Sequence, residues 1–335
     1  MLAMNPDVQA LIASIRASGK PPLEALSPAE ARQGYTAGRR LLQPPLDEVA
    51  AIRDVAIPGP GGAIAARLFR GLSTAADAPL PCLVYFHGGG WVLGDIGSHE
   101  GICRRLANAA RCCVLTVDYR LAPEHRFPCA VDDAAAALAW VSHHAGDLGV
   151  DVARLALGGD SAGGNLAAVL ALMGRDGTVP PTTYQMLLYP AVDLTMTSES
   201  YVRTRGDLQI TSATMRYFID HYAPGTTDRI DWRASPLRAP SLAGVPPALV
   251  LTCGHDPLCD EGRLYADRLV REGVPVTALH LSDQAHGILN MGLAFGATAG
   301  VLAFAAAAMR DVWRQIPPET GSRRSETKDE DGSSW

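Results

Sequence analysis

Short, wholly apolar runs alternate with longer stretches of helical period along this chain. CLVYFH (82–87), CCVLTV (112–117), LALGG (155–159), QMLLY (185–189) and ALVLTC (248–253) each read as a strand buried on both faces. VTALHL (276–281) reads as a last strand, and 50–57 and 63–70 as two more flanking the turn PGPGG. Helical patterns fall at 130–144, from Ser161 onward, at 259–272, and in a final long helix to about 314. Continuous apolar strands separated by helices predict an α/β protein with a mostly parallel sheet covered on both faces.

Two segments break the alternation. Residues 1–45 are helical and proline-punctuated, with Val8, Leu11, Ile12 and Ile15 on one helical face. Residues 196–235 lie between two strands and include a helical pattern at 211–223. Excursions of this length at strand ends form lids or binding loops. The core then falls in two parts, 46–195 and 236–316, and the polar, charged tail 317–335 is expected to be disordered.

Composition narrows the function classes. Of 335 residues, 47% are hydrophobic and 19% charged, with a net charge of -6, and no basic block marks a nucleic-acid surface. The 7 cysteines form no C-x-x-C pair and sit largely in apolar runs, which predicts reduced, buried thiols in a cytoplasmic protein. The N-terminus has no basic n-region and reads as an amphipathic helix, not a signal peptide. The uncharged stretch 291–309 is mostly alanine and glycine, too weakly apolar for a membrane span. Its Gly292, Gly296 and Gly300 read as small residues that let a buried helix pack close to the sheet.

The chemistry concentrates in LALGGDSAGGNL, where a strand runs directly into a helix with a serine at the turn. Gly159-Asp160-Ser161-Ala162-Gly163 matches G-x-S-x-G, a turn that holds a serine strained and exposed among small neighbours. Serine needs a base. Among 9 histidines, His286 follows the last strand on a loop beside Gly287, whereas His280 lies within that strand and His143 and His144 end a helix. The base needs an orienting carboxylate. Asp256 sits just past ALVLTC, while Asp260 and Glu261 fall at the start of the following helix. Ser161, Asp256 and His286 thus stand at three strand ends in the hydrolase order. HGGGW (87–91) lacks the Lys and Ser/Thr of a phosphate loop. Its bare N–H groups at Gly88 and Gly89, with that of Ala162, would face a tetrahedral oxyanion.

These residues together resemble the hormone-sensitive-lipase-like group of α/β-hydrolases, family IV of the bacterial esterases. The resemblance rests on HGGGW (87–91), DYRLAPEHRFP (118–128), GDSAGG (159–164), SPL (235–237), DPLCDEG (256–262) and HG (286–287), in family order from about residue 45 to 315. It implies an eight-stranded sheet and a helical cap built from residues 1–45 and 196–235. It also implies carboxylesterase activity on short- to medium-chain acyl esters through an acyl-enzyme, with no metal or organic cofactor. A homodimer pairing across strand 276–281 is expected by analogy alone. Cys259 stands where relatives often carry a basic residue, and Ile288-Leu289 replaces their usual aromatic pair. DYRLAPEHRFP reads as scaffold. Two other readings share the fold: a serine hydrolase acting on an arylformamide, a lactone or an acetylated small molecule, and a ligand-binding protein without catalysis. Receptors of that last kind lack a competent histidine, and His286 is present here.

Overall fold

The computed structural model describes residues 3–75, 78–204 and 208–316; the tail 317–335 lies outside the described residues. Eight strands form one sheet: β1 (Ala51–Gly59), β2 (Gly62–Arg70), β3 (Leu80–Phe86), β4 (Cys113–Asp118), β5 (Val150–Asp160), β6 (Tyr184–Leu188), β7 (Ala248–His255) and β8 (Val276–Ala285). Their order is β1-β2-β4-β3-β5-β6-β7-β8, with β2 antiparallel to both neighbours and all pairs from β4 to β8 parallel. β5 begins five residues earlier than the apolar run suggests, because its first five positions, two buried and three half-buried, include the polar Asp151 and Arg154.

Two helices precede the sheet, α1 (Pro6–Ala17) and α2 (Pro28–Leu42). Within and after it come α3 (Ile96–Ala110), α4 (Cys129–His143), α5 (Ala145–Leu148), α6 (Ala162–Arg175), α7 (Glu199–Arg203), α8 (Ser212–Tyr222), α9 (Thr226–Ile230), α10 (Cys259–Arg271) and α11 (Ala297–Arg314). The sheet separates two apolar cores. Leu106 and Ile102 of α3 join Leu302 and Met309 of α11 on one face, and Leu138 of α4, Leu166 of α6 and Leu269 of α10 fill the other. Helix α3 has no counterpart among the sequence expectations. It buries His99 and Glu100 along with its apolar residues, so polarity and burial part company there.

Three expectations need correction. Stretch 291–309 is not one helix: residues 291–296 form turns and α11 starts at Ala297. A Cβ on Gly300 would meet nothing within 4 Å, so this glycine faces open space and does not pack on the sheet. Ile15 is 45% exposed, although Val8 of the same helix is buried. Among the described residues no helix is long and apolar enough to cross a membrane, and all seven cysteines are free thiols.

Segments 1–45 and 196–235 meet over the carboxyl ends of the strands. Thr214 Oγ1 on α8 donates to Glu24 Oε2 at 3.0 Å. Arg32 on α2 donates to the carbonyls of Val92 and Ala122, each at 2.8 Å, and pairs with Glu124.

Glycines that look alike in the sequence differ sharply here. A Cβ on Gly163 would stand 1.8 Å from the Phe86 carbonyl oxygen. Gly163→Ala should therefore prevent α6 from seating on β3 and leave little soluble protein. Gly300→Ala, in open helix, should raise Tm by about 1–3 °C through the helix-propensity gain alone. Thermal melts and soluble yields of the two variants check this, and a Tm loss at Gly300 would show that its surroundings are closed.

Candidate active site

Ser161 lies between β5 and α6 with φ 56 and ψ -116, a conformation that costs a non-glycine residue of order 1–3 kcal/mol. The turn is enforced by crowding. A Cβ on Gly159 would meet Gly163 and Phe86 backbone atoms at 2.4–2.5 Å, so only bare backbone fits on both sides of the serine. The Ser161 N–H donates to the Leu188 carbonyl at 2.9 Å, and its own carbonyl accepts from Asn165 and Ala191, which ties the turn to β6 and to α6.

Asp256 follows β7 and His286 follows β8. His286 Nδ1 lies 2.7 Å from Asp256 Oδ2, and His286 Nε2 lies 2.9 Å from Ser161 Oγ. The other Asp256 oxygen accepts the Leu258 N–H at 2.8 Å. All three side chains are buried, and the Tyr189 ring stands 4.7 Å from the imidazole. Gly287, at φ +77, turns the chain immediately after the histidine, and the Ile288-Leu289 pair behind it is buried in the core. The structure thus brings together the three residues expected from their strand-end positions.

The rival carboxylates are committed elsewhere. Asp260 pairs with Arg203 at 2.7 Å. Glu261 is fully buried, and its Oε1 accepts the N–H groups of Val192 at 2.8 Å and Asp193 at 3.2 Å. Burial pushes the Glu261 carboxyl up to about 8, against the pull of those two N–H donors, with nearby Asp193 adding to the rise. Of the other histidines, His280 Nδ1 lies 2.9 Å from Thr252 Oγ1, and His143 and His144 meet helix carbonyls.

The glycine loop departs from expectation at one position. The Gly88 N–H donates to Asp160 Oδ1 at 3.0 Å, with His99 Nε2 at 3.3 Å. It is turned into the protein and is not available to a substrate oxygen. Among the described residues no acceptor meets the N–H groups of Gly89, Gly90 or Ala162. Gly89 and Gly90 have φ +124 and +61, and the Gly89 carbonyl accepts from Leu93 at 2.8 Å. A Cβ on Gly89 would strike the Leu93 carbonyl at 2.3 Å, and one on Gly90 would enter the Phe218 ring of α8 at 2.2 Å. Gly89→Ala therefore strains the loop itself. Asp160 and Gly90 lie within GDSAGG and HGGGW, and the sequence assigns neither a role. Nothing local in either motif shows which N–H the carboxylate beside the serine takes.

This geometry has close parallels. The profile of the alpha/beta hydrolase fold family matches residues 83–290, well over half of the chain. Carboxylic ester hydrolase LipN of Mycobacterium tuberculosis is 42% identical over 256 residues, 74% of this chain and 67% of that protein. An ethyl acetate hydrolase of Pseudomonas putida is 35% identical over 297 residues, 87% of this chain and 93% of that one. Among solved structures, ester-hydrolase EH1AB1 from the metagenome of Lake Arreo, complexed with a derivative of bipyridine phosphonate, superposes with a TM-score of 0.90. It is 40% identical, covering 93% of this chain and 99% of that one. The chain belongs to the α/β-hydrolase fold family. Within that family it is a member of the hormone-sensitive-lipase-like group of bacterial esterases.

Glu261 supplies a pH test. A carboxyl whose pKa in the fold lies above its ordinary 4.5 contributes stability that is full below that value and is lost as pH rises toward 8. Glu261→Gln keeps the acceptor for Val192 and Asp193 without the titration. The Tm difference, variant minus wild type, should therefore grow between pH 5 and pH 8 and level off above. A constant difference across that range would mean that Glu261 is ionised in the native protein.

Proposed function

We propose that this protein is a serine carboxylesterase acting on short- to medium-chain acyl esters. The observation that carries the reading is the hydrogen-bonded line Asp256–His286–Ser161 beside three N–H groups that have no acceptor among the described residues. Ser161 Oγ attacks the acyl carbon while His286 Nε2 takes its proton. Asp256 holds the imidazole through Nδ1 and stabilises the imidazolium that forms. The N–H groups of Gly89, Gly90 and Ala162 receive the developing oxyanion, each donor contributing about 2.7–4 kcal/mol to the barrier reduction. His286 then passes its proton to the departing alcohol oxygen and leaves an acyl-serine. In the second half, His286 deprotonates a water that attacks the acyl carbon, and Ser161 leaves with the proton. Every step uses only these side chains, backbone donors and water.

Segments 1–45 and 196–235 act as the cap in this reading. Met215, Phe218 and Tyr222 of α8 are packed into the core, and Trp91 stacks on Tyr222 at 4.5 Å. Packed this way they offer no long apolar lid. That supports a closed pocket for acyl chains of roughly two to eight carbons. The acetate ester hydrolysed by the Pseudomonas putida relative fits the same range.

A fluorophosphonate should label Ser161, and Ser161→Ala and His286→Ala should each remove nearly all turnover. The double variant should be little worse, because a hydrogen-bonded triad fails as a unit. Retention of more than about a tenth of kcat in Ser161→Ala would overturn the assignment. A 4-nitrophenyl ester series, run beside a lactone and an arylformamide, reads the substrate class. A peak at two to eight carbons is expected, and preference for long-chain emulsions or for the amide would redirect it.

A further inference from the structure

A buried polar cluster stands directly behind the glycine loop, and the triad does not use it. Asp160, one residue before the nucleophile, is 3% exposed. Its Oδ1 accepts both the Gly88 N–H at 3.0 Å and the Tyr85 hydroxyl at 2.8 Å, and its Oδ2 faces His99 Nε2 at 3.3 Å. His99 lies on α3 and is wholly buried. Its Nδ1 is 3.0 Å from Ser98 Oγ. Ser98 and Asp95 form the capping box that starts α3, with Ser98 N–H donating to Asp95 Oδ1 at 2.6 Å and Asp95 N–H to Ser98 Oγ at 3.0 Å.

Loop 87–95 is therefore held at both ends by one pair. Asp160 grips its entry at Gly88, and His99 meets its exit at the Asp95–Ser98 cap. His99 Nε2 also lies 3.4 Å from Asn290 Nδ2, which donates to the Tyr35 hydroxyl of α2 at 3.0 Å. Burial alone would push the Asp160 carboxyl up, but the nearby His99 ring and the hydrogen bonds from His99 and Tyr85 outweigh it and hold the carboxyl low. The clamp is thus an anion, and an anion is the stronger acceptor for a backbone N–H.

We propose that Asp160 and His99 are positioning residues of the ester hydrolysis, clamping Gly88 inward so that the Gly89 and Gly90 N–H groups face the oxyanion. The proposal rests on the serine-esterase reading. Neither side chain touches the substrate. Their effect passes through the backbone of the loop, so it belongs to the transition state and to kcat, not to ground-state binding.

The test compares Asp160→Ala with Asp160→Asn. The amide oxygen of asparagine still accepts from Gly88 and Tyr85, whereas alanine leaves the Tyr85 hydroxyl unpaired and the Gly88 N–H with only the longer approach to His99 Nε2 at 3.3 Å. Asp160→Ala should lower kcat about 10²-fold, the scale of one misplaced donor, with KM changed less than about threefold. Asp160→Asn should recover at least about tenfold of that loss, because it restores the acceptor though not the charge. Hydrogen–deuterium exchange of the peptide covering 86–94 should be fast in Asp160→Ala and slow in Asp160→Asn and wild type. A purely structural role predicts lower Tm in both variants with wild-type kcat per folded molecule, and that result overturns the clamp. So does equal loss in the two variants, or exchange unchanged by alanine. If Asp160→Ala does not fold, His99→Asn carries the same test: kcat reduced about tenfold at constant KM, with faster exchange at 86–94, whereas wild-type values for both overturn it. Wild-type protein that hydrolysed no ester would refute the esterase reading, while the exchange comparison would still decide whether the clamp exists.

Discussion

Backbone packed on backbone, with no side chain between, is the constraint from which the rest of this site follows. Gly163 of α6 sits so close to the end of β3 that a methyl group would overlap the Phe86 carbonyl. Gly159 meets the same atoms from β5. That contact sets the height of α6 above the sheet and forces the chain at Ser161 into its positive φ. It also decides what stands beside the serine. β3 and β5 are parallel neighbours, with Phe86 opposite Gly159, so the loop leaving β3 emerges next to the turn leaving β5. The glycine loop and Ser161 are thus adjacent because two central strands end at the same level, which is where α/β sheets place their ligands.

The carboxyl edge of the sheet then has to accommodate several buried acids. Asp160, Asp256 and Glu261 are each at most 3% exposed, and each accepts at least one backbone N–H. Their remaining partners separate their chemistry. Asp256 faces His286 and so joins the serine. Asp160 faces His99 and Tyr85 and is held low. Glu261 has two backbone donors and, among the described residues, no cationic partner, and burial carries it to about 8. Environment rather than residue type sets the three carboxyls apart: one faces an imidazole beside Ser161, one is held low, and one is pushed up by burial. The covering segments are held by the same economy of contacts. Arg32 alone binds two carbonyls of the loop region and the carboxylate of Glu124.

Much of this was legible along the chain. The apolar runs located the central strands β3 to β7, because strands buried on both faces must be apolar throughout, whereas the exposed β1 and half-exposed β2 were marked by the PGPGG turn between them. The order Ser161, Asp256, His286 followed from chemistry placed just past strand ends, since loops at strand ends are where a rigid scaffold can afford reactive side chains. Helix α3 was not legible, because its buried His99 and Glu100 look like surface residues until their partners are known. The open side of Gly300 was equally hidden: spacing records that a residue is small, not what stands opposite it.

The glycine loop marks the division most sharply. HGGGW announced bare N–H groups near a serine, and composition with spacing carried the argument that far. Which of those groups face a substrate depends on Asp160, 72 positions away along the chain, taking the Gly88 N–H for itself. Local sequence determines the conformations a segment tolerates, and here it marked the central strands, the turn residues and the candidate residues Ser161, Asp256 and His286. Hydrogen-bond partners buried across the sheet are chosen only when distant segments meet, so the division of the three glycines between tether and open donor was settled by tertiary structure alone.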